Sequence, residues 1–213
     1  MDMKKTTQTE KEYQPMINQA LTTLARMNQL EDIDIKYHYD YESQANCIDK
    51  TVWADNLPIW TVDDKAHDSF NYGRYNCFIF EFGRDYKTRK SLNIDIEFEG
   101  KSLAYGWAIK PNSEAELLAI PTKYKDVYIL NKEAVKNDIW DNFNEYIERY
   151  GYKTKETYRY GKYHYTGYSM YIPIKDCIPW IGSLHISSRE KAPGRWETLT
   201  YILDKLRRRY TVS

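Results

Sequence analysis

The stretch "NCIDKTVWADNLPIWTVDDKA" (46–66) constrains this chain most. Residues 46–54 and 57–66 both read as strands, and the short turn "DNLP" joins them. Runs joined so tightly pair as neighbours in an antiparallel ladder. In a strand, side chains two apart share a face. Asp63 and Lys65 therefore project together, Asp64 projects away, and Asp49 approaches the Asp63 side near the strand ends.

The surrounding pattern alternates helix and strand. Ile17, Ala20, Leu21, Leu24, Ala25 and Met27 recur at helical spacing, so a helix is expected over 15–30 with Pro15 near its start. Residues 1–13 read as a flexible polar lead. Strands are expected at 35–41, 76–85 and 125–130, and a hairpin at 89–109 turning at "EGK". "NSEAELLAI" reads as a short helix or turn. Residues 131–151 read as one helix, with Asn131 as its N-cap and Gly151 as its stop. A Tyr/Lys-rich region over 152–174 ends in a strand, and 195–210 form an amphipathic helix. No repeat or linker divides 14–213, so a single domain of α/β (α+β) class with a mixed sheet is expected.

Composition narrows the function classes. Lys+Arg and Asp+Glu both number 31, so any attraction to nucleic acid has to come from local clustering. Cys47, Cys77 and Cys177 are far apart with no CxxC, and the four histidines form no close pair. That argues against a structural zinc site or a disulfide framework, and for reduced thiols in a cytoplasmic protein. The start of the chain is polar and no apolar run nears eighteen residues, so neither a signal peptide nor a membrane span is expected. Nucleotide-binding loops, serine-hydrolase elbows and HExxH motifs do not occur.

Two carboxylates held close favour a cation between them, because like charges otherwise force one to protonate. A hard divalent ion such as Mg²⁺ suits oxygen ligands; it polarises a phosphate and acidifies bound water. A lysine alongside orients that water or offsets charge building on the phosphate. Asp49, Asp63 and Lys65 thus suit phosphodiester hydrolysis, against the plainer reading of charged strand ends. "EGK" holds a second acid-x-Lys match, Glu99 and Lys101, but its glycine marks a hairpin tip. His67 lies two residues beyond Lys65, where contact with substrate is weighed against an ordinary surface histidine. Lys153, Lys155, Arg159 and Lys162 interleave with tyrosines, including Tyr160. Such a mix grips phosphates and stacks bases, or forms a solvated tyrosine-rich hairpin.

A helix, then Asp49, then Asp63-Asp64-Lys65 on consecutive strands resembles the PD-(D/E)XK, restriction endonuclease-like nuclease superfamily. "ESQANCIDK", "VDDKA", "FIFEF" and "GWAIKPNSEAELLAIP" also resemble a group of uncharacterised bacterial and phage proteins within it. The likeness covers 15–175 by order of elements. It departs in having Ile48 where a proline often stands, Cys47 where the group has glycine, and Asp63 rather than glutamate. The resemblance implies an αβββαβ core with a mixed central sheet flanked by helices, plus an extra hairpin and the C-terminal helix. It implies a nuclease using Mg²⁺ or Mn²⁺ and acting on DNA, with Asp49 and Asp63 as metal ligands and Lys65 as the catalytic lysine. Glu42 would add a third carboxylate to the metal and Gln44 a polar contact. Homodimerisation is how many such nucleases cut both strands. Some members have lost activity, so the alternative is an inactive nucleic-acid- or protein-binding module on the same fold, accessory to a phage or mobile element.

Overall fold

A computed structural model describes residues 3–65, 77–86, 96–106, 109–121, 126–159, 161–173, 176 and 185–187. His67, Trp107, Tyr160, Cys177 and the helix expected over 195–210 lie outside them. The described chain is a mixed α+β structure. Helix α1 (Met3–Met27) packs on a six-stranded sheet. That sheet runs in the order β1 (Asp34–Tyr37), β2 (Lys50–Ala54), β3 (Leu57–Asp64), β7 (Leu117–Pro121), β8 (Asp126–Asn131), β11 (His185–Ser187). The pair β3/β7 is parallel and its other neighbouring pairs are antiparallel, so the sheet is mixed.

A second, five-stranded sheet runs β5 (Ile96–Phe98), β6 (Lys101–Tyr105), β4 (Cys77–Tyr86), β10 (Lys162–Pro173), β9 (Lys153–Arg159). The two-residue side-chain period assigns each face of the first sheet to its own core. Val52, Val62, Ala119, Val127 and Ile129 meet Ile17, Ala20 and Leu21 of α1. Leu118, Ile120 and Leu130 point the other way. There they join Phe78, Phe80 and Phe82 of β4, Met170 and Ile172 of β10, and Val135 and Ile139 of α3 (Lys132–Asp141). β7 and β8 are thus buried on both faces.

Two tight hairpins fix the registers. Ala54 pairs with Leu57 across Asp55 and Asn56, whose φ angles are 52° and 65°. Positive φ at both central positions matches the twist of a two-residue hairpin, and Asp and Asn tolerate it better than bulkier residues. Phe98 pairs with Lys101 across Glu99 and Gly100 in the same manner. The second acid-x-Lys match therefore straddles a hairpin tip, as its glycine implied.

Several elements differ from expectation. α1 reaches back to Met3 through the supposed lead, so Pro15 is interior. The Lys, Gln and Glu of that segment are good helix formers despite lacking an apolar stripe. β1 ends at Tyr37 rather than at 41, a short helix α2 (Tyr41–Ala45) follows it, and the strand expected over 46–54 begins only at Lys50. "LLAIP" is the central strand β7 rather than a helix or turn; a short apolar run buried on both faces lacks the alternation that reveals a strand. The helix over 131–151 is two, α3 and α4 (Phe143–Tyr150), divided at Asn142. The Asn142 side chain donates to the Asp138 carbonyl at 3.0 Å, competing with the helical ladder. Asn131 caps α3 as expected, accepting from the Ala134 amide at 2.9 Å, and Gly151 ends α4 at φ 66°.

Gly106 sits where only glycine fits: a Cβ there would lie 1.7 Å from the Glu81 carbonyl oxygen. Gly106→Ala should cost about 3 kcal/mol or more. Gly100→Ala, at φ 72° in open space, should cost about 1 kcal/mol. Urea denaturation of both variants checks the contrast, and equal stabilities would contradict the close approach.

Candidate active site

β2 and β3 bring the first two acids together. Lys50 pairs with Val62, so Asp49, just before β2, lies beside the end of β3 that carries Asp63. The Asp49 amide donates to the Val62 carbonyl at 2.9 Å, and its carboxylate accepts from the Asp64 amide at 2.7 Å. Lys65 continues β3 along β7, its amide donating to the Ala119 carbonyl at 2.9 Å. Asp63, 1% exposed, is ion-paired to Lys65 on the same face. Asp64 turns to the α1 side. Asp49, Asp63 and Lys65 thus meet at one end of the first sheet, on the face away from α1.

Sequence reasoning missed a fourth member. Lys132, fully buried at the start of α3, pairs with the other oxygen of Asp63. A cation in a first helical turn opposes the helix dipole, and that misplacement was the available signal. Burial pushes the Asp63 pKa up, outweighing both lysines. Burial likewise pushes Lys132 down, against the pull of Asp63. For Lys65 burial acts in the same sense, but Asp63 and Asp49 outweigh it and hold its proton more tightly than usual. Lys65 is also the accessible one, with its side chain one-fifth exposed.

The opposite face carries a second buried cluster. Lys50 has no exposed surface; its ammonium donates to Gln14 Oε1 at 2.5 Å and Asn18 Oδ1 at 3.1 Å, and lies 2.7 Å from Asp64 Oδ2. Its signal was a lysine inside the run "CIDKTVWA". Gln14 also donates to Asp64 at 3.1 Å. Asp64 Oδ1 is buried with no hydrogen-bond partner. Burial raises the Asp64 pKa to about 6, against the opposing pull of Lys50, with Asp49 adding to the rise.

Other candidates fall elsewhere. Glu42 is exposed in the first turn of α2. Among the described residues no three His, Cys, Asp or Glu group to hold a metal, so Glu42 is not a third carboxylate. A short helix with its first turn toward solvent occupies the link between the strands expected at 35–41 and 46–54. Gln44 lies in α2. Glu81 pairs with Arg84 on the second sheet. Lys153, Lys155 and Arg159 belong to β9 and Lys162 opens β10, away from the Asp63 cluster.

Asp49 and Asp63 offer hard oxygen donors from adjacent strands. They fit an ion held by two carboxylates and completed by water and phosphate, the usual style of magnesium. Asp63 would have to release an ammonium to take it, and Lys65 is the one with solvent to move into. Comparison with family models, curated proteins and solved structures gives no match. No described helix is long and apolar enough to cross a membrane.

Removing Lys132 strands a buried carboxylate, so Lys132→Met should cost about 3–5 kcal/mol in urea denaturation. Lys65→Met, partly exposed, should cost about 1 kcal/mol. The double variant Asp63→Asn/Lys132→Met should lose clearly less than the sum of its parts; additive losses would contradict the pairing. Asp64 makes a pH prediction. Its folded pKa lies above its unfolded one, so its contribution is fully present below about pH 4 and lost as pH rises through about 6. Asp64→Asn should remove that fall from the stability profile; parallel profiles for wild type and variant would refute it.

Proposed function

We propose that the chain is a metal-dependent nuclease acting on DNA, with Asp49, Asp63 and Lys65 as its working groups. What carries the reading is the meeting of two carboxylates and a lysine at the end of adjacent strands, with the lysine as the partly exposed member. The order α1-β1-α2-β2-β3 supports it, since apart from the short inserted α2 it follows the first four elements of a restriction endonuclease-like core. The crossover to β7 departs from that core. Its described part is β4, β5 and β6 of the second sheet, where the superfamily has a helix.

Magnesium or manganese, bound by Asp49 and Asp63, supplies Lewis-acid polarisation of a phosphodiester and acidified water. Lys132 holds one oxygen of Asp63 from the interior and so fixes the carboxylate's orientation. Lys65, released from Asp63, places a cation beside the scissile phosphate and offsets charge developing on its oxygens.

A second reading rests on the same cluster. Both Asp63 oxygens are engaged by ammonium groups, so the site is satisfied without an ion. That favours an inactive binding module, accessory to a phage or mobile element. Incubation of labelled single- and double-stranded DNA and RNA with Mg²⁺ or Mn²⁺ separates the two. Cleavage should fall at least about a hundredfold in Asp49→Asn and Lys65→Ala, both still folded. No cleavage by wild type, together with no heat of Mg²⁺ binding, would leave the binding module; undiminished cleavage by both variants would mean contamination.

A further inference from the structure

The second sheet has one face in the core and one turned away from it. Phe78, Phe80, Met170 and Ile172 point inward, so alternation turns Glu81 and Tyr171 outward. A bulge between Tyr168 and Ser169 shifts the ladder. Beyond it Arg84 pairs with Gly167, and Tyr86 with Tyr165, on the outer face. β9 adds Lys153 opposite Ser169 and Lys155 opposite Gly167. Contacts agree with this placement. Lys153 Nζ lies 4.5 Å from the Tyr171 ring centre and the Arg84 guanidinium 4.8 Å from that of Tyr165. A Cβ on Gly167 would fall 2.4 Å from the Glu81 carboxylate.

We propose that this outer face binds single-stranded nucleic acid. It presents the exposed Lys153 and Lys155 beside the half-buried rings of Tyr86, Tyr165 and Tyr171, in a chain whose overall charge is zero. Glu81 and the largely buried Arg84 neutralise one another on this face, so the two lysines carry its net charge. Lys153 and Lys155 are exposed, and Lys153 can trade its contact with the Tyr171 ring for a phosphate. Cations alone would serve a duplex equally well, because its bases are hidden. Flat rings interleaved with cations serve an unpaired strand, whose bases are open to stacking. An acidic peptide would use the cations and leave the rings idle. The face lies on the far side of β4 and β10 from the core, so it is distinct from the Asp63 cluster and needs no chemistry there.

The test excludes cleavage, so its failure and that of the nuclease reading are distinguishable. The full chain is titrated in EDTA against fluorescein-labelled oligonucleotides of about twenty residues, single-stranded and duplex, by anisotropy. Single strands should bind at least about tenfold more tightly than the duplex. Lys153→Ala/Lys155→Ala should weaken single-strand binding by about tenfold or more and make the dependence of log K on log salt shallower by about 1.4. Tyr171→Ala should weaken it about fivefold or more, whereas Tyr171→Phe, which keeps the ring and the fold, should bind as wild type does. Arg26→Ala, removing an exposed cation of α1, should leave binding unchanged. No single-strand binding, equal affinity for duplex, or an undiminished lysine double variant would each overturn the proposal.

Discussion

Lys50 has no exposed surface, and its ammonium can be left neither bare nor alone. Desolvating such a charge costs several kcal/mol unless hydrogen bonds and an opposite charge offset it. Three residues of two elements meet that demand at once: Asp64 from β3, Gln14 and Asn18 from α1. Asn18 in turn donates to the Tyr37 hydroxyl at 2.6 Å, tying in β1. The middle of α1 is therefore locked to three strands, while Ile17, Ala20 and Leu21 supply the apolar packing. The same logic recurs across the sheet, where Lys132 reaches from α3 to Asp63. Adjacent aspartates of one strand thus face a buried lysine on each side.

This arrangement gives the three lysines different freedom. Lys50 and Lys132 are sealed, and moving either would strand a buried carboxylate. Lys65 pairs with an oxygen of the same Asp63 yet keeps contact with solvent. A cation arriving at Asp63 would meet one ammonium it could displace and one that stays. Asp63 keeps its orientation through Lys132 whichever partner occupies its other oxygen. A site that exchanges partners without collapsing needs such an asymmetry, and the burial of the two pairs supplies it.

Much of this was readable from the chain because strand period and turn chemistry are local. "VDDK" at the end of an apolar run that follows a tight turn placed Asp63 and Lys65 on one side and Asp64 on the other, and the structure has them so. Asn131 and Gly151 marked helix ends for equally local reasons. Where tertiary context decides, local pattern fails. β7 is buried on both faces and shows no alternation, so "LLAIP" carried no strand signature. Lys132 reaches Asp63 across 69 positions of sequence, which no spacing rule connects. Glu42 was placed by a likeness of short motifs, and the local fold at 41–45 turned out helical with that side chain toward solvent. The split falls at Asn142, whose φ of −113° leaves the helical range, and helical periodicity does not report it.

The crossover between β3 and β7 has the largest consequence for the site. Parallel strands need a long connection, and here its described part builds a second sheet on the face that Asp63 points toward. The aromatic core of that sheet, with Phe78, Phe80 and Phe82, packs against Leu118 and Ile120 directly beside β3. Asp63 is consequently at the margin of a dry interior rather than on an open strand face. Low dielectric there strengthens its pairing with both lysines and raises the cost of leaving either oxygen unpaired. Of the described members of the cluster, Lys65 is the one that combines a direct bond to Asp63 with solvent exposure. A ligand reaching Asp63 therefore competes with that lysine first, which makes Lys65 the gate to the carboxylate as well as its partner.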